Sequence, residues 1–384
     1  MRPEKSELCR MQEQCIRMLG ELRRPAPAVR MKRAAKRLLG RAGAKETDPV
    51  FWPAGFLLAG IAESGRVLRD PAALGTAGEY LASWLKNGGR VRYADDAMAG
   101  IAAIRLWQLL SEEGAGLPGH GSSHAEAAAE TARRVMAFLA QAPSDDAGSI
   151  IYHPSGGNRY IYADGTGMIA GFLAEYAAVC AEIAPEGMPA EQIFCMAGRQ
   201  LENYISAGLD RRTGLPYHGY DLSPDGTAQR RGILGWGRAT GFLMMGLSAY
   251  CVRTGDARME ECFRSLTGEV LSCLRLDGLF SWELPAAEGH VDTSGTAMIG
   301  IALKRWLTAK TIQEGDDLAD AAGEACDRIT EGLLSRIRDG QLTDSQAECV
   351  DFGEHPQRYG IYPWGMGAGL WMLALMADDT EEGS

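Results

Sequence analysis

The chain has 384 residues, 46% hydrophobic and 23% charged, with a formal net charge of −11. That is the profile of a globule able to bury a large core without disulfide staples, and its acidity argues against a nucleic-acid partner. No uninterrupted apolar run reaches the roughly 18 residues of a bilayer span, so no membrane partner is expected.

The first 45 residues hold 13 Lys or Arg against 4 Glu. Leu8, Met11, Cys15, Met18 and Leu22 recur at helical spacing, so this basic segment reads as surface helices over 6–22 and 28–41. A basic arm or transit peptide is the other reading. Charges are spread through the start with no apolar h-region, so no secretory signal is expected. The nine cysteines show no C-x-x-C pair and no Cys/His metal spacing. Reduced thiols, a cytoplasmic location and no metal or cofactor follow as expectations.

Beyond residue 50, helical periodicity predicts helices over 54–69, 71–87, 95–112, 123–141, 165–183, 189–207, 236–254, 256–274, 293–308, 316–337 and 364–377. The 48 glycines punctuate these segments with Pro and Asp. Strand-like alternation is limited to short pieces such as "SIIYHP" and "GLFSWEL". No composition shift marks a second domain, so residues 1–384 read as one.

Some thirteen helices in this length fit an open superhelical solenoid or a closed ring of hairpins. No short repeated signature favours the solenoid classes. Alternate connections are long and rich in Trp, Tyr, His, Arg and Asp, among them "NGGRVRYADD", "YHPSGGNRYIYAD" and "VDFGEHPQRYGIYPWG". The others are short and plain. Six ornate loops on one rim suggest an all-α six-hairpin ring with a functional mouth. Aromatic and polar groups around a concavity suit a sugar, whose C–H faces stack on rings and whose hydroxyls need paired donors and acceptors.

The helices after the ornate loops open with acids: Asp95 and Asp96, Asp164, and Asp292. Capping explains each one separately, because a carboxylate accepts the orphan N–H groups of the first turn. For Asp292, in "DTSG", the cap reading is kept.

Several ordered motifs resemble the unsaturated glucuronyl and rhamnogalacturonyl hydrolases, glycoside hydrolase families 88 and 105. They are Tyr162-x-Asp164-Gly165 followed by Met168 and "FLAEYA"; "WGRATGF", residues 236–242; "DTSGTAM"; Asp95 five residues before Gly100; and His218 in "GLPYH". The resemblance implies an (α/α)6 barrel acting on an oligosaccharide left by a polysaccharide lyase. A carboxylic acid protonates C4 of the terminal C4=C5 vinyl ether, water adds at C5, and the hemiketal collapses. It implies Asp164 as general acid/base and Asp95 as the second carboxylate, with Asp96 its rival. Arg238 and His218 would bind hydroxyls or the uronate carboxylate. Trp236 and Phe242 would form a sugar platform, with Tyr162 and Trp52 beside them and Arg358 and Tyr359 weaker candidates. A monomer or homodimer is expected.

Two departures bear on the substrate: Tyr162 stands where the families carry Trp, and "RATGF" replaces "RGNGW". Three other readings stay open on residues alone. One is an epimerase using His in the ornate loops (His153, His218, His290). Another is an inverting glycosidase with two carboxyls about 6.5–9.5 Å apart. The third is a non-catalytic sugar-binding toroid.

Overall fold

The structure is a computed structural model describing residues 2–23, 50–112, 121–152, 159–223, 225–309, 312–350 and 352–378. The helix expected over 28–41, most of the basic segment, lies outside the described residues. Twelve α-helices occur among the described residues. In chain order they are α1 (Lys5–Arg23), α2 (Trp52–Leu68), α3 (Pro71–Lys86), α4 (Ala97–Glu112), α5 (Gly121–Leu139), α6 (Ala163–Ile183), α7 (Ala190–Gly208), α8 (Gly237–Thr254), α9 (Ala257–Ser272), α10 (Thr293–Trp306), α11 (Asp317–Leu334) and α12 (Pro363–Ala377).

Even-numbered helices touch in sequence, α2 to α4 through to α10 and α12, and α12 packs back on α2. This closes an inner ring, and the odd-numbered helices lie outside it. The expected (α/α)6 barrel is what forms. The two layers follow from patterning. Outer α11 buries one stripe, Ala319, Ala322, Cys326, Ile329 and Leu333, whereas inner α12 buries nearly every residue from Trp364 to Ala374. Inner α6 is long and apolar enough to cross a bilayer by length and composition alone, but 83% of that stretch is buried inside the ring.

The glycines do more than punctuate. Inner helices meet at backbone distance, and glycine makes room. A Cβ on Gly167 would come 2.1 Å from the Phe242 carbonyl oxygen, and one on Gly60 would come 2.6 Å from that of Gly367. Both lie inside helices, so reading every glycine as a break misses half their use.

Helix starts also differ by layer. Outer helices α3, α9 and α11 carry aspartate caps: Asp70, Asp256 and Asp316 each accept two backbone N–H groups of the first turn. Inner helices α2, α6, α8 and α12 instead begin at an aromatic, Phe51, Tyr162, Trp236 and Tyr362, with no side-chain cap. Their first N–H groups thus face the rim.

Strands occur only in the rim loops. β1 (Ile161–Tyr162), β2 (Tyr217–Leu222) and β3 (Ala228–Leu234) form an antiparallel sheet, with Tyr162 opposite Gly219. The hairpin 217–234 was not expected from sequence. The two pieces that did read as strands form isolated bridges, Ser144–Ile150, Trp236–Glu283 and Ser281–Val291. Near the C-terminus, β4 (Ile337–Arg338) pairs with β5 (Gln341–Leu342), and β6 (Ser345–Gln346) pairs with β7 (Tyr359–Gly360).

Candidate active site

A cavity of about 90 Å³ opens at the N-terminal mouth of the inner ring. Seven of the eleven predicted site residues line it: Trp52, Tyr162, Asp164, His218, Trp236, Arg238 and Phe242. Asp95 reaches it through Tyr152, another lining residue, whose hydroxyl donates to Asp95 Oδ2 at 2.6 Å.

Asp164 sits in the first turn of α6 and does not cap it. Its Oδ1 accepts only the adjacent Gly165 N–H, at 3.0 Å. The side chain is 16% exposed, opening onto the cavity. Burial pushes its carboxyl up to about 6, and the Asp95 charge adds to the rise; the Gly165 N–H and the Arg238 charge oppose it without prevailing. At the helix N-terminus, desolvation therefore wins over the dipole.

Asp95 and Asp96 divide the work that their sequence left ambiguous. Both are buried in a single 3₁₀ turn, Ala94–Asp96. Asp96 Oδ2 turns back to accept the N–H groups of Arg92, at 3.0 Å, and Tyr93, at 3.3 Å, tying down the incoming loop. Asp95 faces Tyr152 and Asp164. The substrate role expected of Asp96 gives way to a structural one, because a carboxylate holding two backbone donors is committed to them.

β2 carries His218 beside Asp164, Nε2 to Oδ1 4.0 Å. Burial, then His355 and Arg238, hold its imidazole down at about 3, so it is neutral across the physiological range. It is thus a neutral hydrogen-bonding group, which suits the hydroxyl half of the role expected of it. Neither ring nitrogen has a hydrogen-bond partner among the described residues. Buried polar atoms are normally satisfied, and a sugar hydroxyl would suit these.

Arg238 is buried under the floor. Nη1 donates to the Gln346 carbonyl oxygen at 2.8 Å and Nη2 to that of Ala347 at 3.1 Å. Its guanidinium lies 4.7 Å from the Trp236 ring and 5.3 Å from that of Trp364. Two of its five N–H donors therefore anchor the 345–347 segment, and its charge acts on the cavity from beneath. Gln346 is the hub of this floor. Its Oε1 accepts the Trp236 Nε1–H at 2.7 Å, its carbonyl accepts the Trp364 Nε1–H at 3.1 Å, and its N–H donates to Asp292 Oδ1 at 3.0 Å. Asp292 also accepts the Ser294 N–H, so the cap expected for it is present and has a second task.

Trp236 and Phe242 are 1% and 3% exposed, so the expected open platform is instead a packed floor. Phe242 meets Trp52 edge-on at 6.1 Å. Tyr162 stacks on Phe352, centroids 4.4 Å apart and 12° from parallel. Tyr359 stacks on His290 at 3.6 Å, away from the cavity lining, and Arg358 also lies outside that lining. The segment Glu348, Cys349 and Val350 closes one wall. Sequence reading missed it, along with Tyr152, Trp364 and Gln346. The one signal was the aromatic density of "YHPSGGNRYIYAD" and "YPWG".

A closed ring of six hairpins, with a single raised carboxyl in an aromatic-walled mouth, defines an (α/α)6 carbohydrate-active enzyme. The model of glycosyl hydrolase family 88 matches residues 30–378, and the chain belongs to that family. It is therefore a glycoside hydrolase, which sets aside the epimerase and the non-catalytic toroid. Among solved structures the chain is similar to the unsaturated glucuronyl hydrolase of Bacillus sp. GL1, with 18% identity, a TM-score of 0.66, and 85% of this chain and 86% of that one covered. It is similar to a possible family 105 member from Salmonella enterica serovar Paratyphi A, with 15% identity, a TM-score of 0.64 and coverage of 84% and 82%. It is also similar to the family 76 α-1,6-mannanase of Salegentibacter sp. HEL1_6, with 15% identity, a TM-score of 0.63 and coverage of 85% and 89%. At these identities the likeness establishes a common fold. No curated protein matches the chain.

Proposed function

We propose that the protein hydrolyses unsaturated glucuronyl or galacturonyl oligosaccharides, the products of polysaccharide lyases, by hydrating the terminal C4=C5 bond. The observation that carries this reading is Asp164: one carboxyl, raised to about 6, opening onto a cavity behind whose wall a second acid, Asp95, is bonded to the lining residue Tyr152. Such a group is protonated often enough to donate and basic enough to take a proton back.

Asp164 donates its proton to C4, leaving a cation at C5 shared with the ring oxygen. Water adds at C5 and returns a proton to Asp164. The resulting hemiketal opens, and the remaining saccharide leaves as an alcohol. One water is consumed and the acid is regenerated. Asp95, held by Tyr152, orders the water or a ring hydroxyl and keeps Asp164 raised. Neutral His218 meets a hydroxyl. The field of Arg238 offsets the uronate charge in a mouth whose other charged lining residues are the acids Asp164 and Glu348. An inverting glycosidase would need a separate ionised base across the scissile bond; a single acid/base suffices for hydration.

The test mixes the purified protein with unsaturated glucuronyl and galacturonyl disaccharides and follows the ultraviolet absorbance of the conjugated double bond. Loss of absorbance that Asp164→Asn abolishes is the expected result. Persistence of absorbance across both panels, or activity surviving that substitution, overturns the reading.

A further inference from the structure

A second cavity lies at the other end of the barrel. It measures about 400 Å³, within the range of small-molecule sites, and all six inner helices line it, mostly with residues of their second halves. On α6 the distance from Asp164 to its lining residue Glu175 is eleven residues, or about 16 Å along the helix. On α8 fifteen residues, or about 22 Å, separate Arg238 from Arg253.

This end inverts the charge of the chain. Five cationic side chains, Arg66, Arg105, Arg253, Lys304 and Arg305, face three carboxylates, Glu63, Glu175 and Asp378, in a protein of net charge −11. Part of the excess answers the helix C-termini, whose partial negative charge favours cations in the last turn. Arg66, Arg253, Lys304 and Arg305 stand in those turns, but Arg105 stands in the middle of α4.

The ion pairs do not use up the donors. Arg105 spends Nε and Nη2 on Glu63, and Arg253 spends Nε and Nη2 on Glu175. The Nη1 groups of both have no hydrogen-bond partner among the described residues. Arg305 comes within 3.5 Å of Glu175 and lies 5.9 Å from the Trp371 ring, yet its guanidinium donates no hydrogen bond among the described residues. A network that served stability alone would close on itself; this one surrounds a space and leaves N–H groups of its lining residues unbonded among the described residues.

We propose that this cavity is a binding site for a small oxyanion, a phosphate or carboxylate group, held by Arg305, Lys304 and the spare Nη1 donors of Arg105 and Arg253. Guanidinium groups suit such a ligand because their N–H pairs match two oxygens at once. Ile104, Val252 and Ile301 on the wall exclude water and strengthen the contact. The site stands whether or not the proposed reaction at the opposite mouth is correct.

The experiment titrates inorganic phosphate, and separately glucuronate, into the full chain by calorimetry, with melting temperature as a second readout. Saturable binding of at least one anion that raises the melting temperature is expected. Loss of a charged hydrogen bond predicts about a tenfold or greater weakening in Arg305→Gln. Lys304→Gln, which leaves the Glu175 pairs intact, should also weaken it and guards against an Arg305 variant that folds poorly. No saturable binding of either anion overturns the proposal. Binding unchanged in both variants also overturns it, since the anion would then sit elsewhere, such as near Arg238.

Discussion

Asp164 and Glu175 lie on the same helix, and burial pushes both carboxyls up. At the N-terminal mouth the rise stands, and Asp164 reaches about 6. At the C-terminal end Arg305 and Arg253 overcome the rise and hold Glu175 below its ordinary value. Glu63 behaves the same way: burial is outweighed by Arg105 and Arg66. The barrel thus builds a raised carboxyl at one end and charge-stabilised carboxylates at the other from the same residue class. What differs is whether a guanidinium reaches the carboxylate directly or acts from under an aromatic floor, as Arg238 does.

The largest expected effect separates the two ends by chemistry. Asp164→Asn should lower turnover by about 10²–10⁴-fold, the range for a general acid/base. It should also stabilise the fold. Asp164 titrates near 3.8 when unfolded and near 6 when folded, so the native state binds more protons between those values and stability falls as pH rises through them. Removing the charge should recover up to roughly 3 kcal/mol above pH 6 and almost nothing at pH 3.5. Denaturant melts at the two pH values check this, and equal effects at both would contradict the desolvated-acid picture.

Glu175→Gln should do the opposite. It leaves Arg253 and Arg305 without their carboxylate and should cost about 2 kcal/mol, below the usual figure for a buried pair because the Arg253 side chain is 37% exposed. Turnover per folded molecule should be unchanged. A fall in turnover comparable to that of Asp164→Asn would couple the two ends and break the comparison.

Tyr152→Phe sharpens the N-terminal end. It removes a hydrogen bond to Asp95 and should lower turnover about tenfold. Without that donor the Asp95 carboxylate is no longer held facing Asp164, its repulsion of the Asp164 charge weakens, and Asp164 titrates lower. The alkaline limb of the pH–rate profile, set by Asp164 near 6, should therefore move to lower pH. An unmoved limb would make Tyr152 a packing residue only.

Asp96→Ala is the smallest effect. It should cost about 1 kcal/mol for the lost backbone contacts, with turnover within a few-fold of normal. A collapse of turnover without loss of stability would return Asp96 to the chemistry and displace Asp95.

The sequence by itself determined the ring. Eleven of its helices beyond residue 50 stand within a few residues of where periodicity and caps placed them, because amphipathic stripes on outer helices and all-round apolarity on inner ones are written in local order. It also determined which loops carry function, since aromatic and polar side chains cluster only on one rim. The order of Asp164, His218 and "WGRATGF" was enough to find the mouth they share. Tertiary structure alone decided the rest. Asp95 and Asp96 are neighbours with identical chemistry, and only the path of the chain aims one at Tyr152 and the other at the backbone of Arg92. Arg238 reads as a free cation until β6 and the residue after it present two carbonyls to it from more than a hundred positions away. The protonation of Asp164 depends on how much water its neighbours exclude, a property of packing that no local pattern encodes. The cation-rich cavity gathers residues from six separate helices, five of which bring charged side chains, and only closure of the ring brings those charges together.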